Sequence, residues 1–137
     1  MQAVFQISIL VKDYDRALAF YVDILGFALL EDTYISEAKR WVVVSPGKGA
    51  AIVLAKADDK SQVEAIGRQC GGRVGFFLGT DNFERDYDRY TSLGVKFVRE
   101  PLTSDYGTVA VFEDLYGNQW DLIEHVPGHR FALTADD

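Results

Sequence analysis

One pattern occurs twice in this chain of 137 residues, and the second copy trails the first by 68 positions. Leu25-Gly26 returns as Leu93-Gly94, and Ile52-Val53-Leu54 returns as Trp120-Asp121-Leu122, while Gln6 matches Arg73 at an offset of 67. Such a repeat restricts the chain to folds built from two similar units. In the first copy residues 5–11 alternate as a strand, with Ile7, Ile9 and Val11 against Gln6 and Ser8. Asp13 or Asp15 can cap a helix carrying Ala17, Leu18, Tyr21, Ile24 and Leu25, and Gly26 stops it. Residues 27–31 read as a strand and 35–39 as a turn or loop; 41–44 and 50–55 then pair about the turn Ser45-Pro46-Gly47-Lys48-Gly49.

The second copy repeats that order. Residues 73–78 form a strand, Thr80 or Asp81 caps a helix carrying Phe83, Tyr87, Tyr90 and Leu93, Gly94 stops it, and 95–98 is a strand. A closing hairpin joins 109–113 to 119–124 through turn residues 114–118. The expected fold class is α+β: two tandem βαβββ modules, 4–56 and 73–125, forming a curved mixed sheet around a cavity. A connector, 57–72, with a short helix near 63–66, and a tail, 126–137, complete one domain spanning 1–137.

Strand parity separates two faces. Ile7, Ile9, Val11, Ile52, Leu54, Val74, Phe76, Leu78, Trp120 and Leu122 share one parity and are all apolar, as a helix-covered face requires. The other parity mixes small, apolar and polar groups, among them Gln6, Ser8, Val53, Arg73, Phe77 and Asp121. That composition suits a ligand cavity, with Trp41, Phe77, Tyr34 and Tyr106 as aromatic walls and Trp120 in the core.

Composition narrows the function classes. A net charge of −7 with scattered Arg and Lys argues against nucleic-acid partners. No apolar run reaches the roughly 20 residues that span a bilayer, and the start carries no leader pattern, so the expectation is a cytoplasmic protein with no membrane partner. The single Cys70 fits a reducing compartment. Neither a Gly-rich phosphate loop nor a nucleophilic triad can be assembled from these residues.

The paired modules, the segment VKDYDRALAFYVDILGF and the segment GTVAVFEDLYGNQWDLIE together resemble the vicinal oxygen chelate superfamily, which includes glyoxalases, bleomycin-resistance proteins and extradiol dioxygenases. The resemblance covers nearly all of residues 4–125. It implies that metal-dependent members take one ligand from the first and one from the last strand of each module, at positions held here by Gln6, Val53, Arg73 and Asp121. Asp121 alone is an ordinary ligand for a divalent ion, Arg73 would repel one, and His125 is a residual candidate beside Gln6. His125 and His129 bracket Pro127-Gly128, which opposes a helical ligand pair.

The resemblance therefore implies a protein that binds a small planar or aromatic molecule without a catalytic metal, working as a homodimer. The ligand-binding candidates are Gln6, Ser8, Trp41, Val53, Arg73, Phe77, Tyr106 and Asp121. The alternative is a lyase, isomerase or dioxygenase, metal-dependent or metal-free, with Asp121 as acid, base or ligand and Arg73 as its ion-pair partner and anion receptor.

Overall fold

A computed structural model describes residues 1–134 of the chain. They divide into two compact units, residues 1–69 and residues 70–137, of which the tail positions 135–137 lie outside the described residues. Each unit carries one four-stranded mixed sheet with the same strand arrangement.

In the first unit β1 (Gln6–Val11) is followed by α1 (Tyr14–Leu18), which widens into a π-helical stretch, Ala19–Ile24. Asp13 is the N-cap, its carboxylate accepting from Arg16 N at 2.8 Å. Gly26 ends the helical segment at φ 83°, and its counterpart Gly94 ends the helix of the second unit at φ 86°, the left-handed region where glycine carries no Cβ penalty. β2 (Ala28–Ser36), β3 (Lys39–Ser45) and β4 (Ala51–Lys56) complete the sheet in the order β1-β4-β3-β2, with β1 and β4 parallel. β2 and β3 extend the expected 27–31 and 41–44 segments into one long hairpin. β2 is exposed along its whole length, so it leaves no periodic apolar signal in the sequence.

Two polar devices hold this unit. Gln69, beyond α2 (Lys60–Ala65), accepts from Leu10 N and donates to Ser8 O, both at 2.9 Å, so one side chain satisfies the outer backbone edge of β1. Arg40 bonds Asp32 at 2.6 and 3.0 Å and Asp15 at 2.8 Å while its guanidinium lies 5.2 Å from the Tyr14 ring centre, tying α1 to the hairpin. These bonds hold the Asp32 carboxyl below its ordinary range.

The second unit runs β5 (Val74–Gly79), α3 (Phe83–Ser92), β6 (Lys96–Ser104), β7 (Gly107–Glu113) and β8 (Gln119–His125), ordered β5-β8-β7-β6. The cap of α3 is Asn82 rather than Thr80 or Asp81: it accepts from Arg85 N at 3.0 Å, while Thr80 Oγ1 accepts from Asn82 N and donates to Asp86. Thr80 thus supports the cap from two residues earlier. β5 begins at Val74, one residue later than expected, and a bulge gives Gly75 no partner on β8. A Cβ on Gly75 would overlap Cys70 Sγ, which explains a residue without a side chain there.

The helix-covered faces form the cores. Ile9, Val11, Val42, Val44, Ile52 and Leu54 are buried in unit 1 with Tyr21, whose ring lies edge-on to Phe20 at 5.3 Å. In unit 2 Phe76, Trp120 and Phe112 stack in series at 4.7 and 5.9 Å, with Tyr90 and Phe97 against Phe112. Trp120 is core, as its parity requires. Its Nε1 donates at 3.1 Å to Asp114, a buried carboxylate that also accepts from Tyr116 N, Asn118 N and Asn118 Nδ2. The turn at 114–118 is therefore locked to the aromatic stack. Replacing Asp114 with Ala strands these donors, and we expect a loss of about 2–4 kcal/mol in urea unfolding with an unchanged m-value.

Candidate functional site

The ladders state which side chains share the face away from the helices, because residues directly opposite on paired strands project to the same side. In unit 1 one row crosses the whole sheet: Glu31, Val43, Val53 and Ser8. In unit 2 the matching row is Arg99, Val111, Asp121 and Phe77. Below it lie Leu102, Val109, Ile123 and Gly79, then Ser104, Gly107 and His125; above it lie Lys96, Glu113, Gln119 and Val74.

Several candidates fall where their parity places them. Val53 is buried, Ser8 is exposed beside it, and Gln6 is half-buried opposite Ala51 on the same face. Trp41 shares the face with Val43 and is 36% exposed. Phe77 is 70% exposed although it stands directly beside Asp121. Tyr106 is exposed in the β6–β7 turn, off the strands, with its carbonyl accepting from Val126 N at 2.9 Å.

Three expectations change. Tyr34 pairs with Arg40 on the helix-covered side of its hairpin, so it cannot wall this face. Val74 is carried by the Gly75 bulge opposite Gln119, away from the covered face. Arg73 precedes β5 and is exposed, and among the described residues it forms no ion pair with Asp121. The cation that acts on Asp121 is Arg99, which the sequence reading did not single out. Its signal was faint: Arg99 stands 68 residues after Glu31, and both follow an extra residue in their strands.

Asp121 is half-buried, and burial pushes its carboxyl above the ordinary range, with Arg99 pulling in the opposite direction. At the far end of β8 the His125 ring stacks on His129 at 4.2 Å with Phe131 at 6.0 Å. Burial and the neighbouring His129 lower the His125 pKa. Leu133 reaches to 3.4 Å from where a Gly79 Cβ would stand, so the tail folds back along the lower rows of this face.

A metal of the kind the resemblance implies does not fit these donors. The residues paired at the middle row are Ser8 with Val53 and Phe77 with Asp121, which supply one strong ligand. Among the described residues no group of three or more His, Cys, Asp or Glu could hold an ion. His125 and His129 are stacked ring on ring rather than aimed at a common point.

Comparison with known proteins agrees with this architecture. The family model of the Glyoxalase/Bleomycin resistance protein/Dioxygenase superfamily matches residues 3–122, and the chain belongs to that superfamily. An uncharacterised protein from Shewanella frigidimarina (strain NCIMB 400) is 56% identical over 126 residues, covering 90% of this chain and 93% of that protein. Among solved structures, UcmS2 is 33% identical with a TM-score of 0.74, over 90% of this chain and 98% of its own. TnmS3, an antibiotic binding protein from Streptomyces sp. CB03234, is 29% identical with a TM-score of 0.73, over 91% and 97%. No helix among the described residues is long and apolar enough to cross a membrane.

The two shifted groups give opposite pH signatures. Folding favours the protonated Asp121, so its contribution is full below the unfolded carboxylate pKa and is lost as pH rises through the higher folded value. Asp121→Asn abolishes that loss: its thermal midpoint relative to wild type should rise as the pH is taken from about 3 to about 7. For His125 folding favours the neutral ring, so its contribution is full above the unfolded value near 6.5 and is lost as pH falls through the lower folded value. Amide exchange at 126–132 should therefore quicken between about pH 7.5 and 5.5, and His129→Gln should weaken that response.

Proposed function

We propose that the chain binds a planar or aromatic small molecule on the helix-free face of its sheets, without a catalytic metal. The observation that carries this reading is Phe77, a large aromatic left 70% exposed in a sheet row beside a half-buried carboxylate. A face packed for stability alone would cover that ring and leave the carboxylate to solvent. Trp41, on the helix-free face of the first unit's sheet, offers a second exposed ring. The likeness to TnmS3, an antibiotic binding protein, supports the same class of ligand.

The reading includes a homodimer, supported by the apolar side chains Leu29, Leu30 and Ile35 exposed on the edge strand β2. It includes a cytoplasmic location, supported by a single free cysteine. Both are open to direct measurement, by light scattering and by fractionation.

A second reading is favoured by Asp121 itself. A carboxyl held above its ordinary range on an accessible face can exchange a proton with a ligand, as a lyase, isomerase or dioxygenase related to the glyoxalases would need. Turnover of a substrate that survives Asp121→Ala would remove this residue from any such chemistry.

Two measurements test the binding reading. Trp120 is buried and Trp41 is exposed on the first unit's sheet, so an aromatic ligand bound on that sheet should quench the emission of Trp41 alone, and Trp41→Phe should erase the response. Across a panel of planar aromatic compounds we expect dissociation constants of about 1 µM or tighter, weakened about tenfold or more by Phe77→Ala; a panel without one binder rejects the reading. Elemental analysis after incubation with Zn²⁺, Ni²⁺, Fe²⁺ and Mn²⁺ should give far less than one metal per chain. Stoichiometric metal would overturn the metal-free part.

A further inference from the structure

The edge strands of both sheets are bulged at matching places. In β2 the pairing steps from Leu29 opposite Val44 to Glu31 opposite Val43, leaving Leu30 as the extra residue. In β6 it steps from Phe97 opposite Phe112 to Arg99 opposite Val111, leaving Val98 extra. Without the second bulge Val98 would face Val111 and Arg99 would point to the helix side, where Phe97 and Phe112 make the core. The bulge costs a ladder position and delivers a guanidinium to the row that holds Asp121 and Phe77.

We propose that Arg99 is the anion-receiving residue of the site, so that its ligands are planar molecules bearing a carboxylate or comparably acidic group, with the acid toward Arg99. This rests on the ligand-binding reading above and specifies the ligand class. Two strand spacings of about 4.8 Å separate the backbones of Arg99 and Asp121, and between them stands Val111, apolar and buried, which holds the two charged groups apart. Among the described residues no hydrogen bond or ion pair joins Arg99 to Asp121, so the guanidinium keeps its paired donors for a ligand carboxylate.

The other charged groups on this face are differently placed. Lys96 approaches Glu113 at 3.8 Å in the row above, His125 stands two rows below and is stacked on His129, and β5 contributes Phe77 and Gly79 without charge. Phe77, beside Asp121, gives the ring system of the ligand a surface to stack on. Burial raises the Asp121 carboxyl, which reduces the repulsion that an acidic ligand would meet there.

The test uses the full chain and three probes of one shape: naphthalene-2-carboxylate, 2-naphthol and naphthalen-2-ylmethanammonium, each titrated by calorimetry. Wild type should bind the carboxylate at least about tenfold more tightly than the ammonium. Arg99→Gln, at an exposed position and with the thermal midpoint checked, should weaken the carboxylate by about tenfold to a hundredfold and leave the ammonium no weaker. Lys60→Gln, the same loss of charge on an exposed helix, should change none of the three. Preference for the ammonium, or carboxylate binding unaltered in Arg99→Gln, overturns the role of Arg99 while leaving ligand binding in place. Absence of binding by all three probes in wild type, together with an aromatic panel without a binder, overturns both readings.

Discussion

Everything on the helix-free faces depends on the parallel pairing of the first strand of each module with its last. That pairing sets Ser8 opposite Val53 and Phe77 opposite Asp121, and through the antiparallel hairpins it fixes the remaining rows. Side chains alternate with a period of two, so a slip by one residue would send Asp121 into the aromatic core and Trp120 outward. The covered face prevents the slip. Phe76, Phe112 and Trp120 stack only in the observed register, and Trp120 is further held by its bond to Asp114. A turn carboxylate thus fixes the position of the strand that carries the candidate site.

Against that fixed background the bulges are the adjustable parts. Each adds one residue to an edge strand, where a lost ladder position disturbs one neighbour instead of two. In unit 1 the result is Glu31, which accepts from Thr33 at 2.8 Å; in unit 2 it is Arg99. Two modules with the same backbone plan therefore present opposite charges at matching points, and Val53 stands where Asp121 stands in the other copy. The repeat has kept its core and changed its faces, as expected if packing constrains one side of a sheet and ligand chemistry the other.

The polar links inside each unit have the same economy. Gln69 satisfies the outer edge of β1 with one amide, and Arg40 joins two carboxylates and a tyrosine ring. Glu124, at the end of β8, accepts from Phe83 N at the start of α3, so the strand bearing Asp121 is also anchored to the helix packed on it. Rigid placement of this kind allows a half-buried carboxyl to be held away from full hydration.

By itself the sequence determined the duplicated βαβββ plan, the glycines that end the helices, the core residues of the covered faces, Trp120 among them, and the face on which Asp121 and Phe77 lie. These follow from local rules: helical spacing, two-residue alternation and turn chemistry act over a few neighbouring positions. The structure decided what depends on register between distant segments. A single extra residue at Gly75 moved Val74 to the other face, and Arg73 fell outside its strand. Another at Val98 put Arg99 on the face of Asp121, and the one at Leu30 carried Tyr34 to the covered side. A bulge leaves no periodic signature in its own strand, because it is defined by what stands opposite, and only tertiary pairing supplies that partner.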